Sequence, residues 1–234
     1  MMKPILTAAV IKKLNAIVEQ YKFAVQAPIA GNWKAMGDSE LWASVLIQIA
    51  VVGNAASGKS VQENLKDRDE WYAKLVSMKP SQRLIEIHSL LRQAGVRYAA
   101  TDIKMCKKSA AASYNFMILT SYGGPKSYFR QVATISHEAW RIAVVADDLA
   151  YLKNKGARDL LIGLGLIERA IAFDTRLVGI LRHLGANLPN DLVSSKPKYK
   201  ALETELIERV CKPKKITGGH FDRILFRNYK KIMP

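Results

Sequence analysis

Cysteine is nearly missing from this chain: among 234 residues only Cys106 and Cys211 occur, far apart and without C-x-x-C spacing. No zinc or iron–sulfur site can be built from them alone, and free thiols fit a cytosolic chain. Histidine is as sparse. His88, His137, His183 and His220 are scattered, and none stands at metal-ligand spacing with another. No metal and no other cofactor is therefore expected. Long apolar runs are also lacking. The longest, Leu41 to Val52, carries Ser44 and Gln48 and is shorter than the about 20 apolar residues that span a bilayer. The start, MMKPILTAAVIKKL, has no apolar core followed by a small-residue cleavage site. No membrane association is expected. Alternating apolar and polar residues, the mark of half-buried strands, are nearly absent.

Acidic residues are scarce beside basic ones. There are 20 Asp plus Glu against 36 Lys plus Arg, a net charge of +16. A surface this positive attracts polyanions and releases condensed counterions when it neutralises phosphates. Nucleic acid is the leading partner, ahead of an anionic membrane or an RNA-rich assembly. The plainer readings are solubility charge or the lysine-rich habit of thermophilic proteins.

What is present is helical periodicity. Pro4 to about Phe23 places Ile5, Val10, Ile11, Leu14, Ile17, Val18 and Tyr21 mainly on one stripe, with lysines opposite. Ser39 to Val52 is an apolar helix or helix plus strand. Ser81 is positioned to cap a helix that runs to Gln93 and stops at Gly95. SYGGPKSYF, Ser121 to Phe129, is a loop by its Gly-Gly-Pro punctuation. Helices are expected over His137–Leu149, Gly156–Leu164 and Thr175–Leu184, the last capped by Asp174 and stopped by Gly185. Ala201–Cys211 and Phe221–Ile232 follow the Pro-rich stretch NLPNDLVSSKPKYK. The fold class is all-α, about ten helices in two interleaved helical subdomains with a cleft between them.

GNAASGKS, Gly53 to Ser60, follows the apolar run LIQIAVV. This is the pattern of a phosphate-cradling P-loop, in which Lys59 would reach the phosphates and Ser60 would hold magnesium. RIAVVADD, Arg141 to Asp148, resembles the aspartate-ended strand that accompanies such loops. A P-loop also needs several buried parallel strands, and these are not found in the sequence. The competing reading is a helix end at Gly53 followed by a small-residue loop.

The stretch from Leu149 to Ala186 carries a second constellation. It reads as a helix end, a tight hairpin, a helix, and a helix capped by Asp174, which follows Lys155 by 19 residues. It resembles the core of the helix-hairpin-helix DNA glycosylase superfamily, and FDTRLVGILRHLGA is similar to that family's context around its essential aspartate. The resemblance puts Asp174 in the aspartate's place and Lys155, in KNKGARD, in the place of the lysine found in members that also cleave the backbone. More loosely, SYGGPKSYFRQV resembles the lead-in to the hairpin. LETELIERVCKP and FDRILFRNYKKI resemble the C-terminal helices of archaeal and bacterial 8-oxoguanine glycosylases. The likeness covers the C-terminal half, and the first 120 residues only by their helical character. It implies a single domain over residues 1–234, with a hairpin-containing core at about 121–185 and a helical subdomain at about 30–120 and 186–234. It departs from the family at the hairpin. The usual L-P-G-h-G-x-K is here Leu149-Ala150-Tyr151-Leu152-Lys153-Asn154-Lys155. Both glycines are missing, and Asn154 is the residue expected to tolerate positive φ in their place. The cysteine set of the cluster-bearing members is absent too.

The resemblance implies a base-excision glycosylase acting on double-stranded DNA with a damaged base, with 8-oxoguanine as the first candidate. It would work as a monomer, cytoplasmic and nucleoid-associated. The chemistry is coherent. The positive end of a helix dipole favours a neutral amine, so Lys155 at a helix start suits a nucleophile that forms a Schiff base and permits β-elimination. An aspartate at a helix start stays ionised and stabilises the positive sugar that develops as the base leaves. Lys153, Asn154, Gly156 and Arg176 are expected to contact DNA, with His183 a further phosphate contact. A flipped base needs stacking and reading groups. Candidates are Trp42, Phe173 and Phe221, with Trp33, Tyr122 and Phe226 as further aromatics and Gln48 and Asp222 as polar readers. The alternatives are a monofunctional glycosylase for another damaged base, a P-loop nucleotide hydrolase using residues 53–60, and a non-catalytic helical DNA-binding module.

Overall fold

Glycines with positive φ stand just past five of the helices, at Gly53, Gly95, Gly123, Gly165 and Gly185. The structure, a computed structural model, describes residues 5–233. Among these there are thirteen α-helices and no strand. In chain order they are α1 (Ala8–Tyr21), α2 (Asp38–Val51), α3 (Ala56–Asn64), α4 (Arg68–Ser77), α5 (Pro80–Gln93), α6 (Lys107–Ser121), α7 (Pro125–Thr134), α8 (Glu138–Asp148), α9 (Asn154–Gly163), α10 (Thr175–His183), α11 (Lys196–Leu206), α12 (Gly218–Arg227) and α13 (Tyr229–Ile232). The fold is all-α. Pro4, the expected first residue of the first helix, lies outside the described residues. No helix among them is long and apolar enough to cross a membrane.

The chain divides into two units. A terminal unit comprises Met1–Ala30 with Ile167–Pro234, and a central unit comprises Gly31–Leu166. In the terminal unit the Thr7 hydroxyl accepts from Val10 N and starts α1. That helix buries Val10, Ile11, Leu14 and Val18 in one core with Leu177, Ile180 and Leu181 of α10 and Phe221, Ile224 and Leu225 of α12. Each such side chain stabilises by about 1.5–3 kcal/mol when fully buried. In the central unit α2 is the hub, and α3, α4, α6, α7 and α9 pack on it. Its Leu41, Trp42, Val45, Leu46 and Ile49 are all 0% exposed. That is why its sequence is apolar nearly all round.

GNAASGKS is not a P-loop. The apolar run before Gly53 is the last turns of α2, where a P-loop needs a strand, and Gly53 ends the helix with φ 82°. Ser57, Gly58, Lys59 and Ser60 lie inside α3, so the small-residue loop is only a turn between two helices. Gly58 serves packing there, since a Cβ would stand 2.6 Å from Val51 Cγ1. Lys59 pairs with Glu63 one turn on. RIAVVADD is part of α8, with Ile142 and Val145 buried.

Other boundaries move for local reasons. Lys79, not Ser81, precedes the first turn of α5, because Pro80 with its fixed φ takes the first helical position. In SYGGPKSYF only Tyr122, Gly123 and Gly124 lie outside helices, the glycines with φ 85° and 112°, and Pro125 already begins α7. The helix expected at Ala201 starts at Lys196 and continues past Leu206 as a π-helical turn, Ile207–Cys211. The last helix breaks at Asn228. Helices α4 and α6 had no clear apolar stripe in the sequence. Their formation follows from packing on α2 and α5.

Candidate active-site residues

The hairpin between α8 and α9 belongs to the central unit. Leu149 and Leu152 are buried and Leu152 N donates to Leu149 O at 3.2 Å, which closes the turn. The left-handed residue is Tyr151, φ 71°, while Asn154 lies in the first turn of α9. The expected role of Asn154 as a positive-φ substitute is therefore corrected. Its side chain is also engaged, with Oδ1 accepting from Arg158 Nη1 at 3.2 Å. Lys153 occupies the cap position of α9 and is exposed.

Among the described residues, the N–H groups of Lys153, Asn154, Lys155 and Gly156 have no hydrogen-bond acceptor. Four such amides at a helix start form a ready anion cradle. Gly156 leaves it open, although a Cβ there would only meet Leu152 Cδ2 at an ordinary 3.5 Å. Lys155 projects from this first turn with its side chain 40% exposed, and Nζ is ion-paired with Asp159, which is 21% exposed.

Asp174 belongs to the terminal unit and caps α10. Its Oδ1 accepts from Leu177 N at 2.8 Å, and among the described residues its Oδ2 carries no hydrogen bond. The lead-in to this carboxylate is held from several sides. Tyr199 OH donates to Ile171 O at 2.7 Å and accepts from Phe173 N at 2.9 Å. Glu203 accepts from Ile171 N at 2.9 Å. Gly218 N donates to Glu168 O at 2.8 Å, and a Cβ on Gly218 would stand 2.5 Å from Ala170 O. Only glycine permits that approach. Tyr199, Glu203 and Gly218 were not singled out from the sequence. The one local signal was the Thr-Gly-Gly at a helix start.

No protein-family model matches the sequence, and no curated protein matches it. Solved structures do match. The 8-oxoguanine DNA glycosylase of Methanocaldococcus jannaschii superposes with a TM-score of 0.67 at 15% identity, over 93% of this chain and 92% of that one. The 8-oxoguanine DNA glycosylase of Thermotoga maritima gives 0.67 at 17% identity, over 93% and 94%. The M. jannaschii glycosylase/lyase in complex with 15mer DNA containing 8-oxoguanine gives 0.63 at 15%, over 96% and 98%. This chain has the helix-hairpin-helix fold of the 8-oxoguanine DNA glycosylases.

Within that glycosylase fold the remaining candidates are distributed unevenly. Trp42, Phe173 and Phe221 are each 0% exposed. In place of stacking surfaces they are core side chains, with Trp42 edge-on to Phe116 and Phe173 edge-on to Tyr199. Trp33 is buried beneath Lys126, whose Nζ donates to Trp33 O, Lys34 O and Met36 O. Tyr122 and Phe226 keep 39% and 43% exposure. Phe226 and Tyr229 carry the Arg176 guanidinium at 4.8 and 5.9 Å from their ring centres. His183 is exposed on α10.

The two polar readers differ. Asp222 neighbours Arg223, whose guanidinium is lowered from its usual range by burial and by Arg227, against the opposing pull of Asp222. Gln48, on α2, has its Oε1 buried without a partner among the described residues, and so does Trp42 Nε1 on the same helix. An orphaned buried acceptor is costly. It is the usual sign of a group reserved for a ligand or for water. Among the described residues no three His, Cys, Asp or Glu side chains are grouped to hold a metal ion.

Proposed function

We propose that this chain is a DNA glycosylase that excises a damaged base, 8-oxoguanine, from double-stranded DNA and nicks the strand through a lysine Schiff base. The observation that supports this most directly is the shared fold with three 8-oxoguanine glycosylase structures over at least 92% of both chains. A net charge of +16 and the row of unpaired amides at the start of α9 are consistent with a phosphate-backbone partner.

Lys155 is the nucleophile in this reading. Its neutral amine attacks the deoxyribose anomeric carbon, and the base departs with the electrons of the glycosidic bond and takes up a proton. The resulting aminal opens to a Schiff base. Loss of a proton from the adjacent sugar carbon then expels the 3′ phosphate. Asp174 supplies the free Oδ2 as the negative charge that stabilises the cationic sugar. Gln48 Oε1 is an acceptor for a donor edge of the flipped base.

Borohydride trapping on duplexes carrying 8-oxoguanine, other lesions or an abasic site tests the reading. The native chain should release the base and form a trapped adduct that disappears in Lys155→Gln. A variant that traps as well as the native chain would sink the assignment of Lys155. The ion pair between Lys155 and Asp159 favours a second reading, a DNA-binding module without chemistry. Binding across the lesion panel with neither release nor trapping would select it.

A further inference from the structure

Tyr151 holds a left-handed backbone, φ 71°, in the turn between α8 and α9. A bulky L residue rarely adopts that conformation, because its Cβ crowds the following carbonyl oxygen. Such strain persists only where the surroundings over-determine it.

The surroundings include one buried side chain. Ala150, the residue before the turn, is held on both backbone groups by Asn115 in the middle of α6. Ala150 N donates to Asn115 Oδ1 at 2.7 Å, and Asn115 Nδ2 donates to Ala150 O at 2.9 Å. Two bonds to one residue fix the orientation of both peptide planes that flank it. Asn115 is 0% exposed. Asparagine is a poor helix former, and a buried amide is unfavourable unless hydrogen-bonded. Here both of its polar atoms are directed to the turn.

We propose that Asn115 is a positioning residue. Its clamp on Ala150 keeps Tyr151 in the left-handed turn and thereby aims the unpaired amides of Lys153 to Gly156 at a DNA phosphate. The second half of this statement rests on the glycosylase reading, and the first does not.

A double-mutant cycle in the full chain tests it: native, Asn115→Ala, Tyr151→Gly and the double variant. The readout is affinity for a duplex carrying a tetrahydrofuran abasic-site analogue, alongside the thermal midpoint. Asn115→Ala should weaken binding about tenfold. Adding Tyr151→Gly should recover most of that loss, because glycine holds positive φ without the clamp. A purely structural Asn115 would lower the midpoint and show no rescue of affinity by glycine. Native-like affinity in Asn115→Ala, or an undiminished loss in the double variant, overturns the proposal.

Asn115→Asp keeps the acceptor, loses the donor, and serves if the alanine variant does not fold. A native chain that binds the abasic duplex no better than an undamaged one would remove the glycosylase reading while leaving the turn testable. Hydrogen exchange of the Leu152 amide in the free protein should then quicken in Asn115→Asp and slow again when Tyr151→Gly is added. Unchanged exchange overturns the clamp itself.

Discussion

Lys155 and Asp159 are ion-paired across one turn at the start of α9, so the amine proposed as nucleophile is occupied in the free protein. The pair must open before Nζ can reach a sugar carbon. A partly exposed i,i+4 pair is worth about 0.3–1 kcal/mol, which corresponds to about two- to fivefold in rate. Asp159→Asn is therefore expected to speed adduct formation on an abasic duplex by that factor, measured as single-turnover borohydride trapping. Slower trapping in a folded Asp159→Asn would mean that the carboxylate takes part in the chemistry.

On the proposed function, Asp174 has two separable duties. Oδ1 caps α10 and Oδ2 is open. Asparagine caps a helix as well as aspartate does but carries no charge. Asp174→Asn should leave stability within about 0.5 kcal/mol of native, while base release falls at least a hundredfold, as expected when a charge that stabilises a transition state is removed. Asp174→Ala should lose activity and about 1 kcal/mol of stability as well. Chemical denaturation paired with single-turnover release separates the two duties. Undiminished release in Asp174→Asn would reduce this residue to a cap.

The sequence marked these two positions because their signals are local. An aspartate before a periodic apolar run and a glycine after it define α10 almost completely, and Asp174 and Gly185 stand where that pattern puts them. The conformation of Tyr151 is not local. Residue preference in LAYLKNK points to Asn154 as the left-handed residue, not Tyr151, and the side chain bonded to the turn, Asn115 on Ala150, comes from 35 residues earlier. The burial of the aromatic candidates was hidden for another reason. Periodicity marks Trp42 and Phe221 as inward-facing, but an inward-facing ring fills a core or lines a pocket with the same spacing. The P-loop match failed because its glycines and lysine have meaning only after a strand, and the run before them is helix. The Lys155–Asp159 pair has the i,i+4 spacing of neighbours on one helix face.

Among the described residues Gln48 Oε1 is buried without a hydrogen-bond partner, and burying an unpaired acceptor costs stability. Gln48→Met keeps the length of the side chain and removes the orphaned acceptor. Stability should rise by about 1 kcal/mol, the desolvation cost recovered. Discrimination between a lesion-bearing duplex and its undamaged counterpart should fall about tenfold or more if this oxygen reads the base, since losing one hydrogen bond to the base edge is worth about 1–3 kcal/mol. Denaturant midpoints and competitive excision on paired duplexes report the two effects. A stabilised variant with unchanged discrimination would leave Gln48 without a reading role.

Lys108 gives a pH dependence whose sign is fixed by burial. Its side chain is 0% exposed, and Nζ donates to Ala50 O and Val52 O, each at 2.8 Å, at the end of α2. Burial lowers this ammonium from 10.5 to about 8, against a smaller raising influence of Cys106. Below pH 8 both folded and unfolded chains hold the proton, and the full cost of burying the charge is present. Between about 8 and 10.5 the unfolded chain binds the proton and the folded chain does not, so this residue adds stability as pH rises through that window. The full effect is on the order of 3 kcal/mol. A neutral amine still has two hydrogens, enough for both carbonyls, so the helix end survives deprotonation. Urea denaturation of the native chain and of Lys108→Met, at intervals from pH 7 to 10.5, isolates this group from other titrations. The native chain's advantage over the variant should grow with pH. A constant difference would show that Lys108 keeps its proton in the folded state, and the burial argument would then be wrong.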